Sequence, residues 1–257
     1  RPVALVTGGS RGIGAATATA LAAVGYDVAL TYRNKAARAE AVAAEVRARG
    51  GQALAVGGDL TAAADDAALV EAVRGWRGRL DLLVLNASGG MERDLVAADP
   101  DYPTRINVEA QVGLAEAVLP LLAAAAAGVV VFVTSHWAHR YGEVVQLPAY
   151  EPVAASKHAG EQALRRRLAA PDAAGVRLAV VTGDMVEGTI TPKLLARVAG
   201  AAGLDAGMGP RGADAAPLPT TEDMAAAIVG AATDAGLAPG SAVVVGRTLD
   251  SLPKVGS

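Results

Sequence analysis

The sequence predicts an α/β domain in which seven parallel strands form one sheet with helices on both faces. Short apolar runs alternate with Ala-rich, helix-like stretches, and strict alternation implies crossover connections between parallel strands. The 257 residues contain no linker, so we predict one domain over residues 1–257. The predicted strands cover residues 3–6, 27–32, 53–57, 80–85, 129–134, 176–181 and 242–246.

Composition and charge narrow the class of protein. Hydrophobic residues make up 52% of the chain and aromatic residues only 3%, so we expect a core of Ala, Val and Leu. The net charge of −3 and the pI near 5.7 argue against nucleic acid as a partner. The chain has no cysteine, which excludes disulfides and thiolate metal sites and is typical of a reducing cytoplasm. Because the first predicted strand follows Arg1 almost directly, we expect no signal peptide.

One uncharged stretch, residues 117–135, is nearly long enough to cross a bilayer. Pro120 and Gly128 interrupt it, its first half is mostly Ala, and its second half has the β-branched composition of a buried strand. We therefore interpret it as the end of a helix, a glycine stop and the fifth strand. No membrane partner is predicted.

The first strand is followed by a glycine-rich turn, TGGSRGIG at residues 7–14, and then by an Ala-rich helix. Gly8 can adopt a backbone conformation closed to residues with a Cβ, Gly12 permits close approach to a pyrophosphate, and Gly14 lets the helix pack on its strand. The helix N-terminus offers free N–H groups to phosphates. A plain strand–helix connection has a similar glycine pattern, but this position at the start of the chain favours a dinucleotide site.

The end of the second strand discriminates between the two nicotinamide dinucleotides. An acidic residue there would bind the ribose 2′-hydroxyl of NAD and repel the 2′-phosphate of NADP. This chain has no carboxylate there, and Arg33, together with Arg11 of the glycine turn, can pair with a phosphate. Each arginine alone is as readily explained as a solvated charge, but two beside the expected adenosine site favour NADP(H).

Further motifs follow the later strands. Asp59-Leu60 follow the third strand, Asn86-Ala87-Ser88-Gly89 follow the fourth and Ser135 ends the fifth, while Asn107 and Lys157 lie in the helices after the fourth and fifth strands. Alone, Asp59 is more readily explained as a turn residue or a helix cap ahead of Thr61, and residues 86–89 as a plain turn. In this order they resemble the short-chain dehydrogenase/reductase family over nearly the whole chain. The resemblance implies a Rossmann fold and NADP(H) bound by Gly8, Ser10, Arg11, Gly12, Ile13, Gly14, Arg33, Asp59, Leu60, Asn86, Ala87, Gly89 and Lys157.

The resemblance also implies roles for the catalytic residues. Ser135 would hold the substrate oxygen and Asn107 would position a proton-relay water. Lys157 would bind the nicotinamide ribose and lower the pKa of a catalytic tyrosine. The family has that tyrosine four residues before the lysine, where this chain has Val153. A valine side chain cannot transfer a proton, so the active site is predicted to be rearranged.

Two other residues are candidates for the proton donor. Pro152 suits the first turn of a helix, which predicts that Tyr150 lies in the entering loop. On a helix extended that far back, Tyr150 would lie ~4.5 Å further from Lys157 than the usual tyrosine, and a packing or substrate-contact role explains it equally well. His136 can titrate near neutral pH, although a loop histidine is more often a surface residue. No other residue has metal-ligand spacing with His136 and His139, so we expect no metal.

The segment at about residues 184–221 is rich in Gly, Ala and Pro, and a long, weakly patterned segment often serves as a lid. The resemblance implies that it covers cofactor and substrate, and that the chain forms a homodimer or homotetramer. We expect a cytoplasmic, NADP(H)-dependent oxidoreductase acting on a small-molecule ketone/alcohol pair. The alternative is a redox-silent relative that binds a dinucleotide or other ligand for regulation or a non-redox rearrangement. Only Val153 bears on this choice.

Overall fold

In the computed structural model, which describes residues 1–189 and 217–256, seven strands form one sheet in the order β3-β2-β1-β4-β5-β6-β7. Every neighbouring pair is parallel, which confirms the predicted fold class. Strand order reverses between β1 and β4, where ligands of such sheets bind beyond the carboxyl ends. The strands are β1 (Val3–Val6), β2 (Asp27–Tyr32), β3 (Ala53–Gly57), β4 (Leu82–Leu85), β5 (Gly128–Ser135), β6 (Val176–Gly183) and β7 (Ala242–Val245).

Helices cover both faces of the sheet. Side chains of α1, α2 and α8 form one apolar layer with the sheet, and those of α3, α5 and α7 form the other. Most of the predicted lid segment, about 184–221, lies outside the described residues. The helices are α1 (Gly12–Ala23), α2 (Ala36–Ala48), α3 (Ala63–Arg77), α4 (Arg93–Ala98), α5 (Tyr102–Ala123), α6 (His136–His139), α7 (Glu151–Leu168) and α8 (Thr221–Thr233).

Helix α5 contains a π-helical turn at Arg105–Glu109 and continues through Pro120 to Ala123. Pro120 was expected to interrupt this stretch, but it is exposed near the end of the helix. Gly128 then starts β5, and a Cβ there would lie 2.3 Å from the carbonyl oxygen of Leu122. Among the described residues α5 has the length and composition of a membrane span, and half of its apolar window is buried inside the protein.

A third apolar cluster lies at the carboxyl ends of β5 and β6 and forms the floor of the candidate site. It joins the loop after α6 to the start of α7 and to the segment after β7. Its buried members are Trp137, Ala138, Val144, Leu147, Tyr150, Val153, Ala154, Met185 and Leu252. The entry of α7 is therefore fixed by packing, which determines where the side chains of its first two turns point.

Candidate active site

The carboxyl ends of β1 to β4 line one groove with a volume of about 560 Å³. Most of the residues predicted to bind a dinucleotide meet there, although they come from four separate strand ends. Those that line the groove are Gly8, Ser10, Arg11, Gly12, Ile13, Arg33, Asp59, Leu60, Asn86 and Ala87. The sheet topology explains this convergence, because parallel strands end at the same edge of the sheet.

The glycine turn has the geometry of a phosphate cradle. Gly8 and Gly12 have φ angles of +65° and +55°, which residues with a Cβ rarely adopt. A Cβ on Gly12 would meet no atom within 4 Å, so the backbone faces open space at the N-terminus of α1. A Cβ on Gly14 would lie 2.4 Å from the carbonyl oxygen of Gly8, so only glycine lets α1 pack this closely on the turn. The turn therefore fits a dinucleotide phosphate beside free N–H groups.

Threonine side chains hold this turn against its neighbouring strands. Thr7 Oγ1 accepts hydrogen bonds from the backbone N–H groups of Asn86 and Ala87, both at 2.9 Å. The amide of Gly8 donates to Thr31 Oγ1 at 3.0 Å, and Asn86 Nδ2 donates to the carbonyl of Thr7 at 2.9 Å. Sequence reasoning missed Thr7 and Thr31, because their bonds connect strands that are distant along the chain.

Among the described residues, four cationic side chains line the end of the groove beside β2, where the adenosine of a dinucleotide was expected. Arg11 and Arg33 were predicted there, and Lys35 and Arg38 join them. Arg33 Nη1 donates a hydrogen bond of 2.7 Å to the hydroxyl of Tyr102, which sequence reasoning did not anticipate. The concentration of positive charge suits an anionic group at this end.

Two residues that were predicted to bind the cofactor also make contacts that stabilise the fold. Asp59 Oδ1 accepts hydrogen bonds from the amide and hydroxyl of Thr61, at 3.0 and 2.8 Å, so Asp59 stabilises the turn before α3 as well as lining the groove. Gly89 does not line the groove. Its carbonyl accepts from Asn107 Nδ2 at 2.9 Å, and a Cβ on it would lie 2.9 Å from the ring of Tyr102. A glycine at this position is required for close packing against Tyr102, and its predicted contact with the cofactor stays a prediction.

A smaller pocket of about 140 Å³ adjoins the groove at the ends of β5 and β6. Ile13, Asn86, Ser88 and Thr189 line both spaces, so the pocket is continuous with the groove. Ser135, Tyr150 and Lys157 supply polar groups to it. Its apolar wall consists of Val133, Trp137, Leu147, Met185, Val186 and Met224, together with Ile13.

Tyr150 is aimed at Ser135. Its hydroxyl donates to Ser135 Oγ at 3.1 Å, and the same oxygen accepts from the amide of Ala138 at 3.2 Å. Tyr150 is the N-cap of α7, at the boundary between loop and helix, and only 7% of it is exposed. Burial raises the pKa of Tyr150 above its ordinary value, and the hydrogen bond with Ser135 lowers it in part. The phenol is therefore protonated at neutral pH.

Lys157 is the buried cation of this pocket, with 8% of the residue exposed. Burial lowers the pKa of its ammonium from 10.5 to about 8. The pKa of Tyr150 is shifted by burial and by the hydrogen bond with Ser135, and no hydrogen bond joins Tyr150 to Lys157 in the described part of the chain. The activation of a tyrosine by this lysine, which the family resemblance implies, stays a prediction.

Asn107 connects two helices instead of lining the pocket. It lies in the π-helical turn of α5, and its Nδ2 donates to the carbonyl of Gly89 and to Ser156 Oγ, at 2.9 and 3.0 Å. A Cβ on Gly160 would lie 2.1 Å from the carbonyl oxygen of Asn107, so α7 is pressed against this turn. Through Ser156, Asn107 therefore holds α7 against this turn at the residue next to Lys157. Its own amide group is occupied by these hydrogen bonds.

Val153, to which the family resemblance assigns the catalytic tyrosine, belongs to the apolar floor of the site and is not among the residues that line the pocket. It is buried, and its Cγ2 would lie 3.0 Å from a Cβ on Gly90, beside the ring of Pro103. A tyrosine at this position would need the space that the loop at Gly90 takes.

His136 is not placed to transfer a proton, which corrects the prediction that made it a candidate. It is 0% exposed, its Nδ1 lies 3.0 Å from Thr182 Oγ1, and its Nε2 donates to the carbonyl of Arg247 at 2.9 Å. Burial lowers its pKa to about 4, so the ring is neutral at physiological pH. His136 ties the start of α6 to β6 and to the chain after β7.

An ion pair that no local sequence pattern indicates supports the pocket wall. Asp184, which lines the pocket, contacts Arg247 through two oxygens, both at 3.0 Å. The guanidinium of Arg247 also stacks over Trp137 at 5.1 Å. The segment after β7 therefore fixes one side of the pocket. Within residues 1–189 and 217–256, no group of three or more His, Cys, Asp or Glu residues could hold a metal ion.

Comparison with known proteins agrees with this geometry. Over 92 residues the chain is 47% identical to a 3-oxoacyl-[acyl-carrier-protein] reductase of Synechocystis, and the alignment covers 36% of each protein. A short-chain dehydrogenase of Burkholderia cenocepacia in complex with NADP superimposes with a TM-score of 0.74 at 29% identity, covering 97% of this chain and 98% of that one.

A 3-oxoacyl-[acyl-carrier protein] reductase of Brucella melitensis in complex with NAD superimposes with a TM-score of 0.75 at 31% identity, covering 95% of both chains. The family model described as short chain dehydrogenase matches residues 2–197. The chain therefore belongs to the short-chain dehydrogenase family.

Proposed function

We propose that this protein is an NADP(H)-dependent oxidoreductase that interconverts a ketone and an alcohol, with Tyr150 as its proton donor. The observation that carries the proposal is the Tyr150–Ser135 hydrogen bond of 3.1 Å, in a pocket that also contains Lys157 and opens into the glycine-turn groove. The membership of the dehydrogenase family supports oxidoreductase chemistry. The finer assignments depend on the site itself.

The groove fits a nicotinamide dinucleotide phosphate. The glycine turn would hold the pyrophosphate, Asp59 and Leu60 would contact the adenine, and Arg33 with Arg11 would pair with the 2′-phosphate. When bound, NADPH supplies the hydride. One structural relative was solved with NADP and another with NAD, so the preference for NADP(H) depends on the four cations and the missing carboxylate at the end of β2.

Ser135 and Tyr150 would act together on the substrate oxygen. In the reduction, the carbonyl carbon receives a hydride and the carbonyl oxygen receives the phenolic proton, which leaves a phenolate on Tyr150. Ser135 would hold that oxygen beside the phenol, since its Oγ already accepts from Tyr150. Lys157, which is protonated below about pH 8, would stabilise the negative charge that develops in the pocket.

The substrate is proposed to be a small ketone with an apolar body. Seven apolar side chains line the pocket, whereas its acidic residue, Asp184, is already paired with Arg247. Relatives named as 3-oxoacyl-[acyl-carrier-protein] reductases support a ketone as the reacting group. By family resemblance, we further propose a homodimer or homotetramer.

The test is turnover of a ketone panel with NADPH, followed by the loss of NADPH absorbance. Tyr150→Phe removes only the hydroxyl and is expected to lower kcat by about 10²- to 10⁴-fold. Its NADPH dissociation constant, measured by cofactor fluorescence, should stay within about twofold of the parent, because Tyr150 lies outside the groove. Full activity of Tyr150→Phe would reject this residue as the donor. Failure of the parent to bind either dinucleotide would reject the function.

A redox-silent protein is the second candidate, and Val153 favours it. This reading predicts that the parent binds NADPH but reduces no ketone, so that Tyr150→Phe has no turnover to lose. Val153→Tyr restores the family's Tyr-x-x-x-Lys spacing and would then create an activity that the parent lacks. Because a larger side chain at this position meets Gly90, unfolding of the variant is measured alongside its activity.

A further inference from the structure

Arg33 is the residue on which the proposed preference for NADP(H) chiefly depends, and its side chain is exposed after β2. A free arginine side chain samples many rotamers and so carries considerable conformational entropy. Much of a favourable contact with a phosphate would be offset by ordering such a side chain on binding. An arginine already held in one orientation avoids that loss.

Tyr102 holds Arg33 from the opposite side of the groove. The Tyr102 hydroxyl accepts from Arg33 Nη1 at 2.7 Å, although the two residues are 69 positions apart in the chain. Tyr102 itself is rigid, because it is 5% exposed and its amide donates to the carbonyl of Asp99 at 3.1 Å. Its ring lies against Gly89, where a Cβ would be only 2.9 Å from the ring and 3.0 Å from the hydroxyl.

The chemistry of this acceptor suits an anion site. A carboxylate in place of the phenol would also orient the guanidinium, but it would neutralise the charge and repel a phosphate. A neutral phenol occupies one of the five N–H donors and leaves the charge and the other donors available. The nearby Glu92 is occupied by backbone, since its Oε2 accepts from the amides of Gly90 and Met91 at 2.8 and 3.2 Å.

We propose that Tyr102 is a positioning residue that holds Arg33 ready for the 2′-phosphate of the dinucleotide and so sets the preference for NADP(H) over NAD(H). This inference rests on the proposed cofactor, and it adds a residue from α5 to the specificity determinants at the end of β2. It also explains why residue 89 is a glycine, because only a glycine there leaves room for the Tyr102 ring that reaches Arg33.

The test is a double-mutant cycle on cofactor binding with the whole protein. Dissociation constants for NADPH and NADH are measured by fluorescence for the parent, Tyr102→Phe, Arg33→Ala and the double variant. Tyr102→Phe keeps the ring on Gly89 and is expected to weaken NADPH binding by about 3- to 10-fold, with NADH binding changed by less than about twofold. In the Arg33→Ala background the same change should have no further effect on NADPH.

A matched control is Tyr26→Phe, which removes a hydroxyl from a partly buried tyrosine outside the groove and should change neither constant. Equal weakening of both dinucleotides by Tyr102→Phe would mean that Tyr102 contacts the shared part of the cofactor, and would overturn the proposal. An undiminished effect in the Arg33→Ala background would overturn it too. If the parent itself shows no preference for NADPH, the proposed specificity fails first, and the parent measurement alone reveals this.

Discussion

Replacing Lys157 with Met is expected to stabilise the protein at neutral pH while it removes the cation of the candidate active site. Lys157 is 8% exposed, and burial lowers the pKa of its ammonium from 10.5 to about 8. At 1.36 kcal/mol per pH unit, that difference corresponds to about 3 kcal/mol of lost unfolding free energy. Methionine keeps an unbranched apolar chain in the same space, so little packing is lost.

The sign of the effect follows from proton binding to Lys157. Between about pH 8 and pH 10.5 the unfolded chain keeps the lysine protonated while the folded protein has released the proton, so stability rises with pH. Below about pH 8 the lysine is protonated in both states, and the full cost is present. The gain from Lys157→Met should therefore be largest at pH 7 and vanish near pH 10.5.

Urea unfolding followed by circular dichroism at pH 7 and pH 10 measures this gain. In thermal unfolding, a gain of about 3 kcal/mol in unfolding free energy would raise the Tm by roughly 6–12 °C in a chain of this size. Lys254→Met is the matched control, since the Lys254 side chain is 58% exposed, and it should change stability by less than about 0.5 kcal/mol. A Lys157→Met variant less stable than the parent at pH 7, or a gain independent of pH, would refute the reasoning.

Two further predictions concern residues that hold the site in shape. The pKa of His136 is lowered from 6.5 to about 4. The unfolding free energy of the parent should therefore fall by up to about 3 kcal/mol as the pH falls through that interval. His136→Gln should lose less stability, and urea unfolding at pH 7 and pH 4.5 measures the difference. Folded His136→Gln should retain ketone turnover. Gly14→Ala places a Cβ 2.4 Å from the carbonyl oxygen of Gly8 and should destabilise the protein by about 1–3 kcal/mol and weaken NADPH binding. The control Gly113→Ala, where a Cβ meets nothing within 4 Å, should be neutral or stabilising, and the reverse ranking would contradict the role given to Gly14.

The strands could be predicted from the sequence because each is a short apolar run ended by polar or glycine residues. Residues 27–32 were predicted as the second strand and form β2, and residues 176–181 lie within the longer β6, Val176–Gly183. Pro120 and Gly128 were expected to interrupt the stretch 117–135, and α5 does end at Ala123, three residues after Pro120. Proline removes one hydrogen-bond donor, and near the exposed end of α5 the packing of Leu119 and Leu122 keeps the helix intact.

The candidate site was predictable where it depends on strand ends, and was not where it depends on pairs of distant residues. Arg11, Arg33 and Asp59 meet because parallel strands end at one edge of the sheet. The partner of Arg33, Tyr102, and the pair of Asp184 with Arg247 depend on tertiary paths that no local pattern encodes. His136 illustrates the same limit, because a polar residue after a strand can equally face a ligand or, as here, be buried between β6 and the segment after β7.

The position of Tyr150 bears on its proposed role as the proton donor, because the family resemblance assigns the catalytic tyrosine to the position of Val153. At ~100° per residue, positions seven apart differ by about 20° around a helix, so Tyr150 and Lys157 share a face of α7 at least as closely as Val153 and Lys157 do. Along the helix axis, Val153 lies ~6 Å from Lys157 and Tyr150 lies ~10.5 Å from it. This greater separation agrees with burial and Ser135 being the causes of the pKa shift of Tyr150. A phenol whose pKa is raised stays protonated at neutral pH and can give its proton to a carbonyl oxygen. In the proposed mechanism, oxidation of an alcohol needs the phenolate instead, and a phenol that is protonated at neutral pH suits the reduction.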